Sequence, residues 1–169
     1  MAAVLIRREL PTDVPAIDEV HRAAFDGDAE AKLVEALRAD AGWLPALSLV
    51  AVADGSVIGH VVCTRATVGD TPVLGLGPLG VLPQLQRTGV GSALMHTVLG
   101  AADALDEPAV VLLGHTDYYP RFGFRPAAEL GIVPPVADWA AHFQARPLSA
   151  YRSAIRGKFT YAAPFQDLD

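Results

Sequence analysis

The sequence predicts one α/β domain with a mostly antiparallel central sheet flanked by helices. Three observations indicate this fold: a strand followed by two amphipathic helices, then three strands joined by turns at Asp54-Gly55 and Gly69-Asp70, then a strand, glycine loop, helix and strand in that order. At 169 residues the chain has the length of a single domain, so we expect one domain over residues 1–169.

The N-terminal segment predicts a strand and two helices. Residues 4–9 (VLIRRE) alternate weakly and indicate the first strand. Thr12 is placed to cap the first helix, with Pro15 in its first turn, and Asp28 is placed to cap the second, which ends before Gly42. The apolar positions fall three or four residues apart, at Val14, Ile17, Val20 and Ala24 and then at Leu33, Val34 and Leu37.

The next three segments, LSLVAVA, SVIGHVVCTRATV and TPVLGLGPLGVLP, predict an antiparallel meander. The third contains G-x-G-x-x-G at residues 75–80, which is the dinucleotide-binding pattern. That pattern must open a helix, but here it contains Pro78 and is followed by strand-like residues, so we do not interpret it as a dinucleotide site. A P-loop motif does not occur in the sequence.

The glycine loop QRTGVG, residues 86–91, follows this strand and opens a helix. The first turn of a helix carries unpaired N–H groups and partial positive charge, which attract anions. Gly89 and Gly91 would let a phosphate approach the backbone, and Arg87 adds a positive charge. The alternative is that the glycines only permit a tight turn and close packing of the helix on the sheet.

The remaining segments predict two more strands and a helix. AVVLLGH after Pro108 is a short apolar run, typical of a strand covered on both faces. The C-terminal region predicts a helix around residues 148–155 and a last strand at KFTYA. Apolar residues of this region, including Trp139, Phe143 and Phe159, would cover the core or form a contact in a homodimer.

Composition limits the function classes. The net charge of −6, without a clustered basic segment, argues against nucleic-acid binding. Glycines and prolines interrupt the weakly charged stretch at residues 66–86, so we expect no membrane helix. The N-terminus does not resemble a secretory signal, and we expect a cytoplasmic protein. Cys63 is the single cysteine, which excludes an internal disulfide and a cysteine-rich metal site.

Two separated motifs resemble the GCN5-related N-acetyltransferase (GNAT) family. Residues 86–91 fit the family's Q/R-x-x-G-x-G/A signature, preceded by the V-x-P ending of its fourth strand at residues 81–83. Residues 118–124, YYPRFGF, resemble its Y-x-x-x-G-F segment. The order of elements is also similar from Val4 to about Phe124, and Gly59-His60-Val61 resembles the third strand of small bacterial predicted acetyltransferases.

The resemblance implies a GNAT-like sheet whose fourth and fifth strands splay apart to hold acetyl-CoA as co-substrate, with no metal. The CoA-binding core would span residues 74–125, with the pantetheine arm on the fourth strand and the pyrophosphate on the loop. The implied binding residues are Leu79, Gly80, Val81, Gln86, Arg87, Thr88, Gly89, Val90, Gly91 and Ser92.

The resemblance also implies that Tyr119 protonates the departing CoA thiolate; the alternative is that it only packs beside Phe122 and Phe124. We expect Tyr118 to be structural. The general base is not implied, because residues 71–86 contain no carboxylate. The candidates are His60, His115 and Glu30, or a water chain.

The predicted function is transfer of an acetyl group to a primary amine of a small molecule or a protein. Two alternatives stay open: a non-catalytic acyl-CoA sensor or interaction module of the same fold, and a nucleotide-binding domain unrelated to CoA. The acceptor is not readable, because the segments expected to surround it, after the first strand and at residues 134–169, carry no recognisable amine-binding pattern.

Overall fold

A computed structural model describes residues 3–167 of the chain. Three α-helices and nine strands lie within that range. The helices are α1 (Val14–Ala24), α2 (Ala29–Arg38) and α3 (Val90–Ala104). The strands are β1 (Leu5–Arg8), β2 (Ser48–Ala53), β3 (Ser56–Val68), β4 (Thr71–Val81), β5 (Ala109–Leu113), β6 (Arg125–Pro126), β7 (Ile132–Val133), β8 (Phe143–Pro147) and β9 (Gly157–Thr160).

The sheet has the order β1-β2-β3-β4-β5-β8-β6, and β9 pairs with the end of β3 and with β7. Strands β2, β3 and β4 are consecutive and antiparallel, so the predicted meander is confirmed. Strands β4 and β5 are parallel and pair at only two positions, Leu74 with Val110 and Gly75 with Val111. Beyond these pairs the two strands separate, which confirms the predicted splayed pair.

Strand β4 contains a bulge where it leaves β5. Its register with β3 changes from Leu79 opposite Val61 to Leu76 opposite Cys63, so Gly77 and Pro78 lie opposite a single residue of β3. Gly77 has φ +133°, which favours glycine. The G-x-G-x-x-G segment therefore lies inside a strand and does not begin a helix.

The helices cover opposite faces of the sheet. A Cβ built on Gly59 of β3 would lie 3.0 Å from Leu94 of α3. A Cβ on Gly80 of β4 would lie 2.8 Å from His21 of α1. Both faces are buried, and β5 is covered on both sides over its first four residues, as predicted. The helices thus pack tightly around the point where β4 and β5 part.

The two predicted helix caps differ from the structure. Thr12 lies in a short 3₁₀ turn, and α1 begins after Asp13, so the predicted Thr12 cap is wrong. The Asp13 carboxylate accepts hydrogen bonds from the Arg7 guanidinium and from the backbone N–H of Leu10, both at 2.7 Å. Asp28 does precede α2 as predicted, but its carboxylate forms an ion pair with Lys32 at 2.8 Å in place of a cap.

The predicted helix at residues 148–155 is also wrong. Two separate turns occupy it, closed by Tyr151 N–H to Leu148 and by Ile155 N–H to Arg152, each at 3.0 Å. A helix would place Leu148 and Ile155 on one face, seven residues apart, whereas they pack into two different hydrophobic clusters. The last strand is confirmed at Gly157–Thr160, and β8 was not predicted.

None of the helices described in residues 3–167 combines the length and the apolar character needed to span a membrane.

Candidate active site

A cavity of about 460 Å³ opens where β4 and β5 part. Its floor is the bulged edge of β4 and the carboxyl end of β5, and its walls come from α1, α2 and the C-terminal region. The lining residues are Phe25, Glu30, Leu33, Leu76, Gly77, Pro78, Leu79, Leu112, Leu113, Gly114, His115, Tyr119, Trp139, Tyr161 and Phe165. The cavity has the size of a small-molecule site.

Tyr119 lies beside the carboxyl end of β5, with its ring against Gly114. A Cβ on Gly114 would lie 2.4 Å from the Tyr119 ring, so the ring can occupy this position only because residue 114 has no side chain. Burial, together with the neighbouring Tyr118, raises the pKa of Tyr119 to about 12. The phenol therefore keeps its proton at neutral pH and faces the cavity as a hydrogen-bond donor.

The glycine loop makes a compact turn before α3. The Thr88 hydroxyl donates to the Leu85 carbonyl at 2.5 Å, and the Gln86 amide donates to the Val81 carbonyl at 3.1 Å. Arg87 and Gly89 both have positive φ, +64° and +97°. These bonds tie the loop to the end of β4, and the Arg87 side chain is left exposed to solvent.

The N-terminus of α3 has unpaired N–H groups. The first intrahelical bond here runs from Ala93 N–H to the Gly89 carbonyl at 3.0 Å, and within the described residues no side chain caps this end. The N–H groups of Val90, Gly91 and Ser92 therefore have no acceptor inside the helix. The arrangement has the features of an anion site.

The open edge of β4 runs from the loop to the cavity. Because Leu82 N–H bonds to Ile58 of β3, the alternation of an antiparallel ladder turns the N–H and C=O of Gly80 toward β3 as well. The same alternation turns the backbone groups of Leu79 and Val81 toward the gap. Gly80 is needed for a different reason, since a side chain there would strike His21.

The ring of Tyr161 covers β4 at Gly75. A Cβ on Gly75 would lie 2.8 Å from Tyr161 Cδ1, closer than real Cβ contacts. A carboxylate side chain would not fit at position 75, because the Tyr161 ring occupies the space above Gly75.

Replacing Gly75 with alanine is expected to lower the free energy of unfolding by about 1–3 kcal/mol, because the methyl group overpacks against the ring. The matched control is Gly100→Ala on α3, where a Cβ meets nothing within 4 Å and alanine should be neutral or stabilising. Urea denaturation of the two variants measures the difference. Equal stability of both would contradict the overpacking.

The three candidate bases lie in different surroundings. Glu30 and His115 both line the cavity with Tyr119. His60 does not line it: its side chain is fully buried between β2 and α1, where Nδ1 lies 2.8 Å from His21 Nε2, and Nε2 lies 2.8 Å from the Ser48 hydroxyl. Since both nitrogens of His60 are engaged, the cavity's own basic groups are Glu30 and His115.

His60 belongs to a directed hydrogen-bond chain. Burial acts to raise the pKa of Glu9, but the nearby donor groups of His60, Arg38 and Ser48 outweigh it and lower the pKa to about 2, so this carboxylate only accepts. Ser48 donates its hydroxyl proton to Glu9, so His60 Nε2–H donates to Ser48, and His60 Nδ1 accepts from His21 Nε2–H. His21 Nδ1 ends the chain, buried and unpartnered among the described residues.

Sequence reasoning missed several residues of this region. Phe25, Tyr161 and Phe165 carried no signal, because they reach the cavity from segments distant in sequence. Tyr118 packs against the hydrophobic core, as expected of a structural residue, and its hydroxyl also lies 3.1 Å from where a Cβ of Gly91 would be, near the N-terminus of α3.

Among residues 3–167, no group of three or more His, Cys, Asp or Glu side chains is arranged to hold a metal ion. The absence of a metal cofactor stays a prediction.

Comparison with known proteins identifies the fold. Residues 14–124 match the model of the acetyltransferase (GNAT) family. The chain is 42% identical over 128 residues to the uncharacterized N-acetyltransferase YhbS of Escherichia coli K12, covering 74% of this chain and 75% of YhbS. It is 41% identical over 121 residues to YjhQ of the same strain, also an uncharacterized N-acetyltransferase, covering 69% and 67%.

Two solved structures resemble the whole chain. The crystal structure of E. coli YhbS in complex with CoA has a TM-score of 0.93 and 33% identity, and covers 100% of this chain and 95% of that one. A GNAT family acetyltransferase from Brucella melitensis in complex with acetyl-CoA has a TM-score of 0.80 and 32% identity, and covers 98% and 99%.

Proposed function

This chain belongs to the GNAT family of acetyltransferases, and we propose that it transfers an acetyl group from acetyl-CoA to a primary amine of a small molecule or a protein by direct attack in a ternary complex. One observation carries the proposal. A continuous open edge of β4 leads from the uncapped N-terminus of α3 to the cavity that contains Tyr119. Complexes of similar proteins with CoA and acetyl-CoA support it.

The proposed donor site has two parts. The pyrophosphate lies on the loop, where the N–H groups of residues 87–92 and the Arg87 side chain offer donors and positive charge. Gln86 and Thr88 hold the loop in shape through their bonds to Val81 and Leu85. The pantetheine arm lies along β4 as an added strand on the backbone groups of Leu79 and Val81, with Gly80 between them.

The proposed reaction needs no covalent enzyme intermediate. The amine nitrogen attacks the thioester carbonyl, the C–N bond forms, and backbone N–H groups at the β4 bulge stabilise the oxyanion. When the C–S bond breaks, Tyr119 gives its hydroxyl proton to the sulfur. The phenolate then takes the proton that the new amide nitrogen loses, so that Tyr119 returns to its starting state.

An alkylamine is protonated at neutral pH and must lose one proton before it attacks. The cavity offers Glu30 and His115 for this step, and water is the third possible acceptor. A buried carboxylate on β4 is not required, because the proton can leave along the open side of the cavity.

Replacing Tyr119 with phenylalanine is expected to lower kcat about 100-fold or more, because the leaving thiolate loses its proton donor. The Kd of acetyl-CoA should stay unchanged, since the loop and β4 are intact. Amine-dependent release of free CoA thiol measures turnover, and calorimetry measures Kd. Tyr151→Phe is the matched control, because Tyr151 packs against the core outside the cavity.

The same assays separate the alternatives. A non-catalytic sensor would bind acetyl-CoA but release no thiol with any amine. A domain unrelated to CoA would be stabilised by ATP or NAD in a thermal-shift comparison and not by acetyl-CoA. A ligand at about 100 times its Kd stabilises the fold by roughly 2.7 kcal/mol, which such a comparison detects.

A further inference from the structure

We propose that the acetyl acceptor is a small primary amine carried on a flat apolar body, of the arylalkylamine class. This inference rests on the proposed acetyl transfer and specifies the acceptor of that same site. It is argued from the shape of the cavity, from the chemistry of its walls, and from the position of its one carboxylate.

The first wall is a stack of aromatic rings. Phe165 stacks on Tyr161 with ring centroids 4.3 Å apart and an interplanar angle of 23°. Tyr161 in turn meets the edge of Phe159 at 4.6 Å, and it lies over Gly75. The stack is therefore held in place, and Phe165, the more exposed of its two rings, adds flat apolar surface to the lining of the cavity. Flat rings pack well on such a surface.

Three more side chains of the lining are also apolar. Phe25, Leu33 and Trp139 come from different segments: the end of α1, α2, and the 3₁₀ turn at Ala137–His142. Leu113, at the end of β5, is 42% exposed within the same cavity. An occupant that covers this side chain removes apolar surface from water, which is favourable. A hydrophilic chain such as a polyamine gains nothing from these walls.

The charge of the cavity selects a cation. Glu30 is the one carboxylate among the described lining residues, and Lys and Arg do not occur among them. An ammonium group entering the cavity meets Glu30, whereas a carboxylate would lose its hydration without a cationic partner. Free amino acids are therefore poor candidates, although they carry an amino group.

The size of the cavity favours a small molecule over a polypeptide. Its volume of about 460 Å³ must also hold the acetyl end of the donor. Phe165 narrows it on one side, because this ring packs against the cluster of Leu33, Leu37 and Ala162 and so joins the 3₁₀ turn at Ala163–Asp167 to α2. The space that is left suits one ring and a short alkylamine.

A panel of amines tests the acceptor class. The probes are 2-phenylethylamine, ethylamine, phenylalanine, spermidine and a short lysine-containing peptide, each assayed for acetyl-CoA-dependent thiol release. We expect kcat/KM for 2-phenylethylamine to exceed that for ethylamine about 100-fold, since the ring supplies the apolar contact. Phenylalanine differs from 2-phenylethylamine by the carboxylate alone and should be poorer by about 10-fold or more.

Variants locate the contacts. Trp139→Leu should raise the KM for 2-phenylethylamine about 10-fold while leaving the Kd of acetyl-CoA unchanged, and Tyr151→Leu is its matched control outside the cavity. Glu30→Gln should raise the same KM about 3-fold to 5-fold, since the carboxylate is partly exposed. Glu35→Gln, on the same helix but away from this cavity, should have no effect.

The outcomes distinguish this inference from the proposed function. Preferred acetylation of spermidine or the peptide, or equal use of phenylalanine and 2-phenylethylamine, would overturn the acceptor class and leave the acetyltransferase standing. A Trp139→Leu effect matched by Tyr151→Leu would overturn the assignment of the aromatic walls. Acetyl-CoA binding without transfer to any amine would overturn both proposals.

Discussion

Replacing Gly89 with valine is expected to weaken acetyl-CoA binding about 100-fold or more. Gly89 has φ +97°, where a β-branched residue is strained by about 1–3 kcal/mol. A Cβ would meet no protein atom within 4 Å, so the cost comes from the backbone conformation and from the ligand's space, not from crowding in the free protein. Relief of the strain would turn the N–H groups of the loop away from the pyrophosphate.

Isothermal titration calorimetry with acetyl-CoA measures this effect, and a tenfold change in Kd corresponds to about 1.4 kcal/mol. Gly100→Val is the matched control, because Gly100 also has free space around its Cα but lies ten residues into α3 without a positive φ. Thermal melting of the free variants checks that both are folded. Wild-type affinity in Gly89→Val would remove the loop from the proposed binding site.

Acidification below pH 6.5 is expected to destabilise the protein steeply. The buried chain contains two histidines that must be neutral in the folded state. Burial, with a contribution from the neighbouring His60, lowers the pKa of His21 from 6.5 to about 3. Burial also lowers the pKa of His60, although Glu9 acts to raise it. Both side chains are fully buried, so protonation in the folded state is costly.

The direction follows from proton binding. Below pH 6.5 the histidines of the unfolded chain take up protons that the folded chain does not bind. The free energy of unfolding is therefore unaffected by them above pH 6.5 and falls as the pH drops toward 3. Each such histidine removes about 1.4 kcal/mol per pH unit. Glu9, with its pKa lowered from 4.5 to about 2, adds a further loss between those two values.

Urea denaturation between pH 7.5 and 4.5 at constant ionic strength measures the loss. Over this range His21 alone is expected to remove about 3 kcal/mol, a large share of the stability of a typical domain, and His60 acts in the same direction. His21→Met should reduce the slope of the free energy of unfolding against pH by the contribution of one bound proton, whatever its effect on the stability at pH 7.5. A flat profile in the wild-type protein would contradict the neutral histidine pair.

The local pattern of the sequence predicted most of the sheet. Alternating apolar residues and the turns at Asp54-Gly55 and Gly69-Asp70 specify the meander, because hairpin register depends on residues close in sequence. The glycine loop was likewise predictable, since the N–H groups of a helix N-terminus belong to the loop itself. The 3₁₀ turn before α1 was not predictable, because Asp13 is engaged by Arg7 of a neighbouring strand.

The C-terminal region shows where local pattern fails. The apolar spacing of residues 148–155 is compatible with a helix, but Leu148 and Ile155 are buried in clusters on different sides of the sheet. Strand β8 is short, and its five residues pair with residues of β5 that lie 30 or more positions away in the sequence. Burial of Leu148 and Ile155 in separate clusters prevents a helix at residues 148–155, and long-range pairing with β5 forms β8.

By itself the sequence determined the fold class, the glycine loop that opens α3, and the tyrosine that follows β5, because each is encoded in a continuous segment. The tertiary structure alone decided which side chains line the cavity where β4 and β5 part. It removed His60 from the cavity into a buried chain with His21, and it brought Tyr161, Trp139 and Glu30 around the open edge of β4. Those groups lie far apart in the chain, and only the packing of two helices and the C-terminal turns against the sheet brings them to the lining of one cavity.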